Sequence, residues 1–147
     1  MKPLWQTDAR DEILVRIRAV PADRKPNWGR MNAPRMIAHL SDQLRMALGE
    51  VPARPGSGMM SVWPMNYLMI YLIPWPHGAK GPFEAFTTKP STWDSDRETL
   101  VGLIDRFCAK KEEQKWPEHP LFGKLSGDDW AALSYKHFCH HLRQFGV

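Results

Sequence analysis

Residues 126–146 read SGDDWAALSYKHFCHHLRQFG, and this stretch decides the fold. Ser126 and Asp129 form a box-like signal for a helix start, because each side chain can accept a hydrogen bond from the other residue's backbone N–H. Inward-facing positions then recur at helical spacing: Trp130, Leu133, His137 and His141. Gly146 marks where the helix ends. The stretch therefore predicts a last helix that runs from Ser126 to about Gly146.

Two further segments, nearer the N-terminus, also carry a helical period. The first helix is predicted over residues 7–20 and must stop at Pro21. The second opens at Asn32, a favoured N-cap residue, and Pro34 fits its first turn, where a missing N–H breaks no helical bond. Its core stripe ends near Gly49. No group of neighbouring segments shows the period of two that marks β-strands.

A third helix is predicted to begin at Ser95, whose hydroxyl forms a capping-box pattern with the Glu98 carboxylate, and to run to about Gln114. With the last helix, the chain then holds four helices. At 147 residues it can bury one continuous core without disulfides or a structural metal. We therefore expect an all-α fold, formed by a single domain over residues 1–147.

The connection between the second and third helices, residues 51–94, is long and rich in proline. Such a crossover permits the two helices to run parallel. Its apolar run, residues 59–73, is shorter than the ~20 residues that span a bilayer, so we expect an internal element rather than a membrane anchor. Long loops are often functional. The candidates for lining or covering a site are Trp63, Tyr67, Tyr71, Trp75 and His77, and for each of them core filling is the more common role.

Composition and charge favour a globular cytoplasmic protein without a nucleic-acid partner. The hydrophobic fraction of 43% and the charged fraction of 24% lie near the averages for soluble domains. The net charge of +4 arises from 20 basic residues scattered among 16 acidic ones, not from a basic tract. The N-terminal residues turn polar before an apolar signal sequence develops. Cys108 and Cys139 lack CxxC spacing, and we assign them no chemistry.

Three histidines form a candidate metal site. His137 and His141 lie four residues apart, so one helix face can bring both imidazoles to a single ion. His39 lies on the second helix beside Met36 and Leu40 of the core stripe, so its ring is expected to point into the bundle. Three neutral imidazoles leave at least one coordination position for water or substrate, which is typical of catalytic sites rather than closed structural ones.

Other interpretations of these polar residues stay open on the sequence alone. An HxxxH pair is a weak signal in a chain with six histidines, because helical histidines are commonly surface or hydrogen-bonded core residues. His140 points about 100° away from its neighbour and is interpreted as a surface or supporting residue. His77 and His119 lie in loops. Asp42 is a supporting group, a weak fourth ligand or a solvated carboxylate, and Gln144 bonds either a ligand or a neighbouring helix.

The last helix resembles that of the DinB-like superfamily, in which a His-x-x-x-His pair is followed three residues later by Gln. Here these residues are His137, His141 and Gln144. Residues 28–42, which read WGRMNAPRMIAHLSD, resemble the second helix of that superfamily, which contributes the first histidine, here His39. More narrowly, the MNAP opening and the HPLFGKLS approach to the last helix resemble an uncharacterised bacterial branch.

The resemblance implies a four-helix bundle of the DinB/YfiT-like type with a long crossover between helices two and three. It also implies that the three histidines hold zinc, nickel, iron or manganese near one end of the bundle, often in a homodimer. Studied relatives include thiol-dependent transferases and maleylpyruvate-isomerase-like enzymes. The implied function is thus a metal-dependent hydrolase or a low-molecular-weight-thiol transferase, with a small-molecule substrate or a thiol cosubstrate.

Two other classes of function remain open. One is a metal-bearing bundle with a binding or stress-response role, and the other is a plain helical interaction module. Three imidazoles suit several first-row ions, so the sequence does not select the metal. It also contains no convincing general base, and acid–base catalysis stays unassigned.

Overall fold

Four long helices form the frame of the protein. The computed structural model describes residues 2–79 and 81–147, so Met1 and Lys80 of the predicted domain lie outside the described residues. The helices are α1 (Thr7–Ala19), α2 (Ala33–Ala47), the short α3 (Met65–Tyr67), α4 (Trp93–Ala109) and α5 (Gly127–Gln144). No β-strand forms within those two ranges, where an isolated bridge joins His119 and Gly123. The all-α prediction is confirmed.

The two helix starts that have side-chain caps lie where the sequence predicts them. The Asn32 side chain accepts a hydrogen bond from the backbone N–H of Arg35 at 2.9 Å, at the start of α2. At the start of α5, Ser126 Oγ accepts from the backbone N–H of Asp129 at 3.1 Å. The Asp129 carboxylate in turn accepts from the backbone N–H of Ser126 at 3.0 Å. Both caps satisfy N–H groups that a helix start leaves without partners.

The third predicted helix starts earlier than expected. α4 begins at Trp93, after the extended residue Thr92, and no side chain caps it. Ser95 already lies in the first turn, so the predicted capping box with Glu98 is wrong. The additional residues pack Trp93 against the hydrophobic core. This tertiary contact outweighs the local capping signal.

The same helix also ends earlier than expected. α4 ends at Ala109, not near Gln114, and its last fully buried side chain is that of Phe107. Residues 111–115 are exposed and mostly charged. Another helical turn would bury no apolar surface, and helical stability in proteins comes mainly from such burial.

One hydrophobic cluster receives side chains from all four long helices. α2 packs against α4 and α5, and α1 packs against the same two helices. The largest side chains with essentially no exposure include Trp130 and Phe138 of α5 and Phe107 of α4. The indole N–H of Trp130 donates to the backbone carbonyl of Pro117 at 3.0 Å, so its polar atom is satisfied inside the core. This packing fixes α2 and α5 side by side.

The apolar run of the crossover is a surface element, and the prediction of an internal one is wrong. Of residues 59–73, Ile70 alone is buried, whereas Met59 and Trp63 are exposed by 74% and 80%. The four long helices already supply the core, and the run folds into short helical turns on α5. Lys136 of α5 fixes it by donating to three backbone carbonyls, those of Met69, Ile70 and Ile73, at 2.6–3.1 Å.

Among the residues that the structure describes, no helix is both long enough and apolar enough to cross a membrane.

His119 organises the turn that leads into α5. Its Nδ1 accepts hydrogen bonds from the backbone N–H groups of Leu121 and Phe122 at 3.0 and 3.2 Å. The ring also lies against Trp130, with 5.2 Å between the centroids. A nitrogen that accepts two hydrogen bonds belongs to a neutral ring that carries its proton on Nε2. Burial lowers the pKa of His119 to about 4, so the ring is neutral at pH 7.

Acidification should therefore destabilise the protein through His119. Its folded-state pKa of about 4 lies below the ordinary 6.5, so its contribution to stability is complete above pH 6.5 and is lost as the pH falls towards 4. The His119→Asn variant keeps an acceptor for the turn but does not titrate. We expect urea unfolding to show a steeper loss of stability between pH 7 and pH 5 in the wild type, by up to about 1.4 kcal/mol per pH unit. Other groups titrate in both proteins, so parallel slopes would refute this role.

Candidate metal centre

Three imidazoles from α2 and α5 meet in the core. Nε2 of His39 lies 2.8 Å from Nε2 of His137 and 3.1 Å from Nε2 of His141. All three residues are buried, and their candidate ligand atoms lie within 4.8 Å of one another. Two imidazole nitrogens that bind the same zinc ion at about 2.0–2.1 Å, in tetrahedral geometry, lie about 3.3 Å apart. The structure thus brings together the three histidines named from the sequence, at distances compatible with a divalent metal.

A backbone carbonyl sets the protonation state of His39. Its Nδ1 lies 2.6 Å from the carbonyl oxygen of Ala85, which can only accept a hydrogen bond. Nδ1 therefore carries the proton, and Nε2 presents a lone pair to the other two rings. The ring of Phe86 stacks on His39 with 4.2 Å between centroids, which fixes the plane of the imidazole. A partner on the distal nitrogen is the arrangement that orients histidine ligands in metal sites.

A side-chain amide performs the same task for His141. The Nδ1 of His141 lies 2.9 Å from Oε1 of Gln144, and the amide N–H of Gln144 donates to the Trp28 carbonyl at 2.8 Å. Because the Trp28 carbonyl can only accept, the amide nitrogen of Gln144 must face it and the amide oxygen must face His141. Nδ1 of His141 is therefore the donor to that oxygen. Gly29 permits this approach, because a Cβ there would lie 2.9 Å from Gln144 Nε2 and its φ of 78° is left-handed.

Two unprotonated nitrogens consequently face each other inside the protein. Nε2 of His39 and Nε2 of His141 both carry lone pairs, and they lie 3.1 Å apart. Such a contact is repulsive unless a cation lies between the two atoms or an N–H donor, such as that of the neutral His137 ring 2.8 Å from His39 Nε2, points at the lone pairs. Burial lowers the pKa of His39 to about 4 and that of His141 to about 3, and it lowers the pKa of His137 well below its usual value. A charged imidazole at neutral pH is therefore disfavoured, and three neutral imidazoles are a donor set that fits a metal cation.

Buried charge on α2 holds the crossover segment that carries Ala85. Asp42, which has no exposed surface, accepts hydrogen bonds from the backbone N–H of Thr88 at 2.7 Å and from the hydroxyls of Thr87 and Thr88. Arg35 donates to the carbonyls of Thr88 and Phe86 at 2.7 and 2.9 Å. Asp42 is thus neither a solvated carboxylate nor a member of the histidine cluster. It positions the backbone that bonds His39.

A cavity of about 300 Å³ lies beside the three histidines, which form part of its wall. The rest of the wall is mainly apolar and includes several methionines and aromatic rings: Met31, Met46, Met60, Met69, Trp75, Phe86 and Phe122. Its volume is at the lower end of the range for small-molecule pockets. The candidate ion site therefore opens onto a space that fits a small, largely apolar molecule.

Trp75 is the one crossover candidate named from the sequence that lines this cavity. Tyr71 donates its hydroxyl to the Asp129 carboxylate at 2.8 Å, and His77 stacks on Trp28 with 3.9 Å between the ring centroids. Trp63 and Tyr67 are exposed.

Two other histidines lie closer to the site than their sequence context suggests. His119 and His140 both line the cavity. His119 uses Nδ1 for the turn before α5, and His140 is half-buried, with its ring at 72° to that of Trp28 and 5.9 Å between the centroids. Cys108 and Cys139 are free thiols and take no part in the cluster.

Sequence reasoning missed the carbonyls that support the site. The spacing of Gln144 from His141 indicated a hydrogen-bonding role for Gln144. It left two candidate partners, a bound ligand or a neighbouring helix. The structure shows a bond to His141 itself together with one to the Trp28 carbonyl. The Ala85 carbonyl gave no signal, because every residue has a carbonyl and its position depends on the path of the crossover.

We expect Gln144→Leu to destabilise the metal-free protein by about 1–3 kcal/mol, because it removes the hydrogen bond to the Trp28 carbonyl and leaves His141 Nδ1 buried without a partner. The neighbouring Arg143→Ala changes an exposed side chain and should stay within about 0.5 kcal/mol of wild type. Urea unfolding followed by circular dichroism measures both values. Equal stabilities for the two variants would argue against this hydrogen-bond chain.

Comparison with known proteins assigns the chain to a family. Residues 8–146 match the model of a family described as protein of unknown function (DUF1569). No curated protein and no solved structure matches the chain. Because the match covers nearly all of the chain, including the three histidines, the protein belongs to the DUF1569 family.

Proposed function

We propose that this protein binds one divalent metal ion through His39, His137 and His141. The observation that carries the proposal is the contact between Nε2 of His39 and Nε2 of His141, 3.1 Å apart. Both atoms present lone pairs in a site where burial disfavours the charged imidazole. Zinc, nickel and iron suit three neutral imidazoles, manganese is included because the resemblance to the DinB-like superfamily implies it, and cellular availability decides among these ions.

The proposal includes a DinB-like four-helix bundle over residues 1–147. Four long helices, a connection of more than 40 residues between α2 and α4, and a cluster shared by α2 and α5 support it. The resemblance of the last helix adds the His137, His141 and Gln144 pattern. A cytoplasmic homodimer without a nucleic-acid or membrane partner belongs to the same proposal and rests on that resemblance and on the charge pattern.

We further propose that the site acts on a small molecule, as a metal-dependent hydrolase or a low-molecular-weight-thiol transferase. A bound divalent ion supplies a Lewis acid that polarises a substrate oxygen or lowers the pKa of a bound water or thiol. The chain orients His39 through Ala85 and His141 through Gln144, and its apolar wall excludes bulk water from the substrate. The described side chains around the cavity include no carboxylate, so we assign no general base.

Metal content tests the ligand set. Protein purified without a nickel column and then loaded with zinc should hold about one ion per chain, measured by mass spectrometry of the elements. His137→Ala should lose most of it, because two imidazoles hold an ion far more weakly than three. His140→Ala, three residues along the same helix, should retain it. Wild-type metal content in His137→Ala would remove the proposed site.

Turnover separates the catalytic proposal from a binding or stress-response role. We expect the metal-loaded protein to form product with at least one member of a panel of thiols paired with electrophiles, or of activated esters. Chelation and His137→Ala should each abolish that product, which chromatography with mass detection measures. Stoichiometric metal without product from any member of a broad panel would favour the binding role.

A further inference from the structure

Gln43 is a residue of the cavity wall whose side-chain oxygen has no hydrogen-bond partner among the described residues. The residue lies on α2, is 3% exposed and lines the cavity beside the histidines. Its amide N–H donates to Ser134 Oγ at 3.0 Å. Its Oε1 is buried and has no hydrogen-bond partner among the described residues. Since a buried acceptor without a partner is unfavourable, this atom points to a ligand that supplies a donor.

The distance between Gln43 and the histidines sets the length of a ligand that contacts both. Gln43 follows His39 by four residues on α2, so it lies on the same helix face about 6 Å further along the axis. Its partner Ser134 precedes His137 by three residues on α5. The Gln43–Ser134 pair therefore forms a second polar layer, one helical turn away from the histidine cluster.

The wall near this second layer is apolar. Met46 and Leu133, from the same two helices, line the cavity as well. A ligand that occupies this space thus gains from an apolar body and from one donor placed opposite Gln43. A site built to hydrogen-bond such a group discriminates against an analogue that lacks it.

We propose that Gln43 is a specificity-determining residue that accepts a hydrogen bond from a hydroxyl or N–H group of a small, mainly apolar substrate. The other end of that substrate meets the three-histidine site, about one helical turn away. This inference rests on the proposed function, because the metal holds that other end. The rival role for Gln43 is structural, a cross-link between α2 and α5 through Ser134.

Two aromatic thiols probe the acceptor in the cobalt-loaded protein. The probes are 4-mercaptophenol and 4-methylbenzenethiol, which have nearly the same shape and differ in a hydroxyl or a methyl group opposite the sulfur. Thiolates bind first-row ions, so sulfur-to-cobalt charge-transfer absorption reports the dissociation constant of each probe. The ratio of the two constants measures the contribution of the hydroxyl, and it needs no turnover.

We expect Gln43→Met to lower the preference for the hydroxyl probe by about three- to tenfold, the effect of one neutral hydrogen bond. Ser134→Ala keeps Oε1 and should keep the wild-type preference. The Gln43→Met/Ser134→Ala double variant replaces both polar partners with apolar groups, which protects the fold, and should show the same loss as Gln43→Met.

The outcomes separate this inference from the function on which it rests. If wild-type protein fails to bind cobalt, the proposed metal site is wrong. If cobalt binds but Gln43→Met and the double variant keep the wild-type ratio, or if neither probe binds the cobalt-loaded wild type, the role of Gln43 in recognition is overturned. Loss of the preference in both Gln43 variants and its retention in Ser134→Ala support the inference.

Discussion

The site depends on one contact, between two imidazole nitrogens that are both held without a proton. The Ala85 carbonyl requires the proton of His39 on Nδ1, and Gln144 requires that of His141 on Nδ1. Both Nε2 lone pairs then point into the same small volume, 3.1 Å apart. In a core that disfavours the charged imidazole, a metal cation relieves this repulsion most directly. The same hydrogen bonds that would make the apo site unfavourable also orient the ligands for an ion.

Two kinds of element form the site: the packed helices α2 and α5, and the irregular crossover between α2 and α4. α2 and α5 pack side by side and carry the three rings, so the positions of the rings follow from helix packing. The crossover contributes the Ala85 carbonyl and the Trp75 side of the cavity, and Asp42 fixes its path by bonding Thr88. Rigid helices thus provide the three imidazoles, while the irregular connection provides much of the cavity wall beside them.

The sequence predicted what depends on side-chain spacing. The starts of α2 and α5 could be located because Asn32 and Ser126 cap them with their own side chains. The start of α4 could not, because a tertiary contact of Trp93 decides it. The histidine cluster followed from an i, i+4 pair and from a resemblance. The course of the crossover could not be predicted, because it depends on buried hydrogen bonds to backbone carbonyls. Every residue type has a carbonyl, so the sequence does not mark the ones that are used.

Anomalous diffraction tests the central claim most directly. Crystals of protein loaded with cobalt at neutral pH, measured on both sides of the cobalt absorption edge, should show one strong anomalous peak per chain. The account predicts that this peak lies within bonding distance of the Nε2 atoms of His39, His137 and His141, about 2.1 Å from each. Fully occupied cobalt elsewhere, or a density map in which the three rings hydrogen-bond one another with no ion between them, would contradict it.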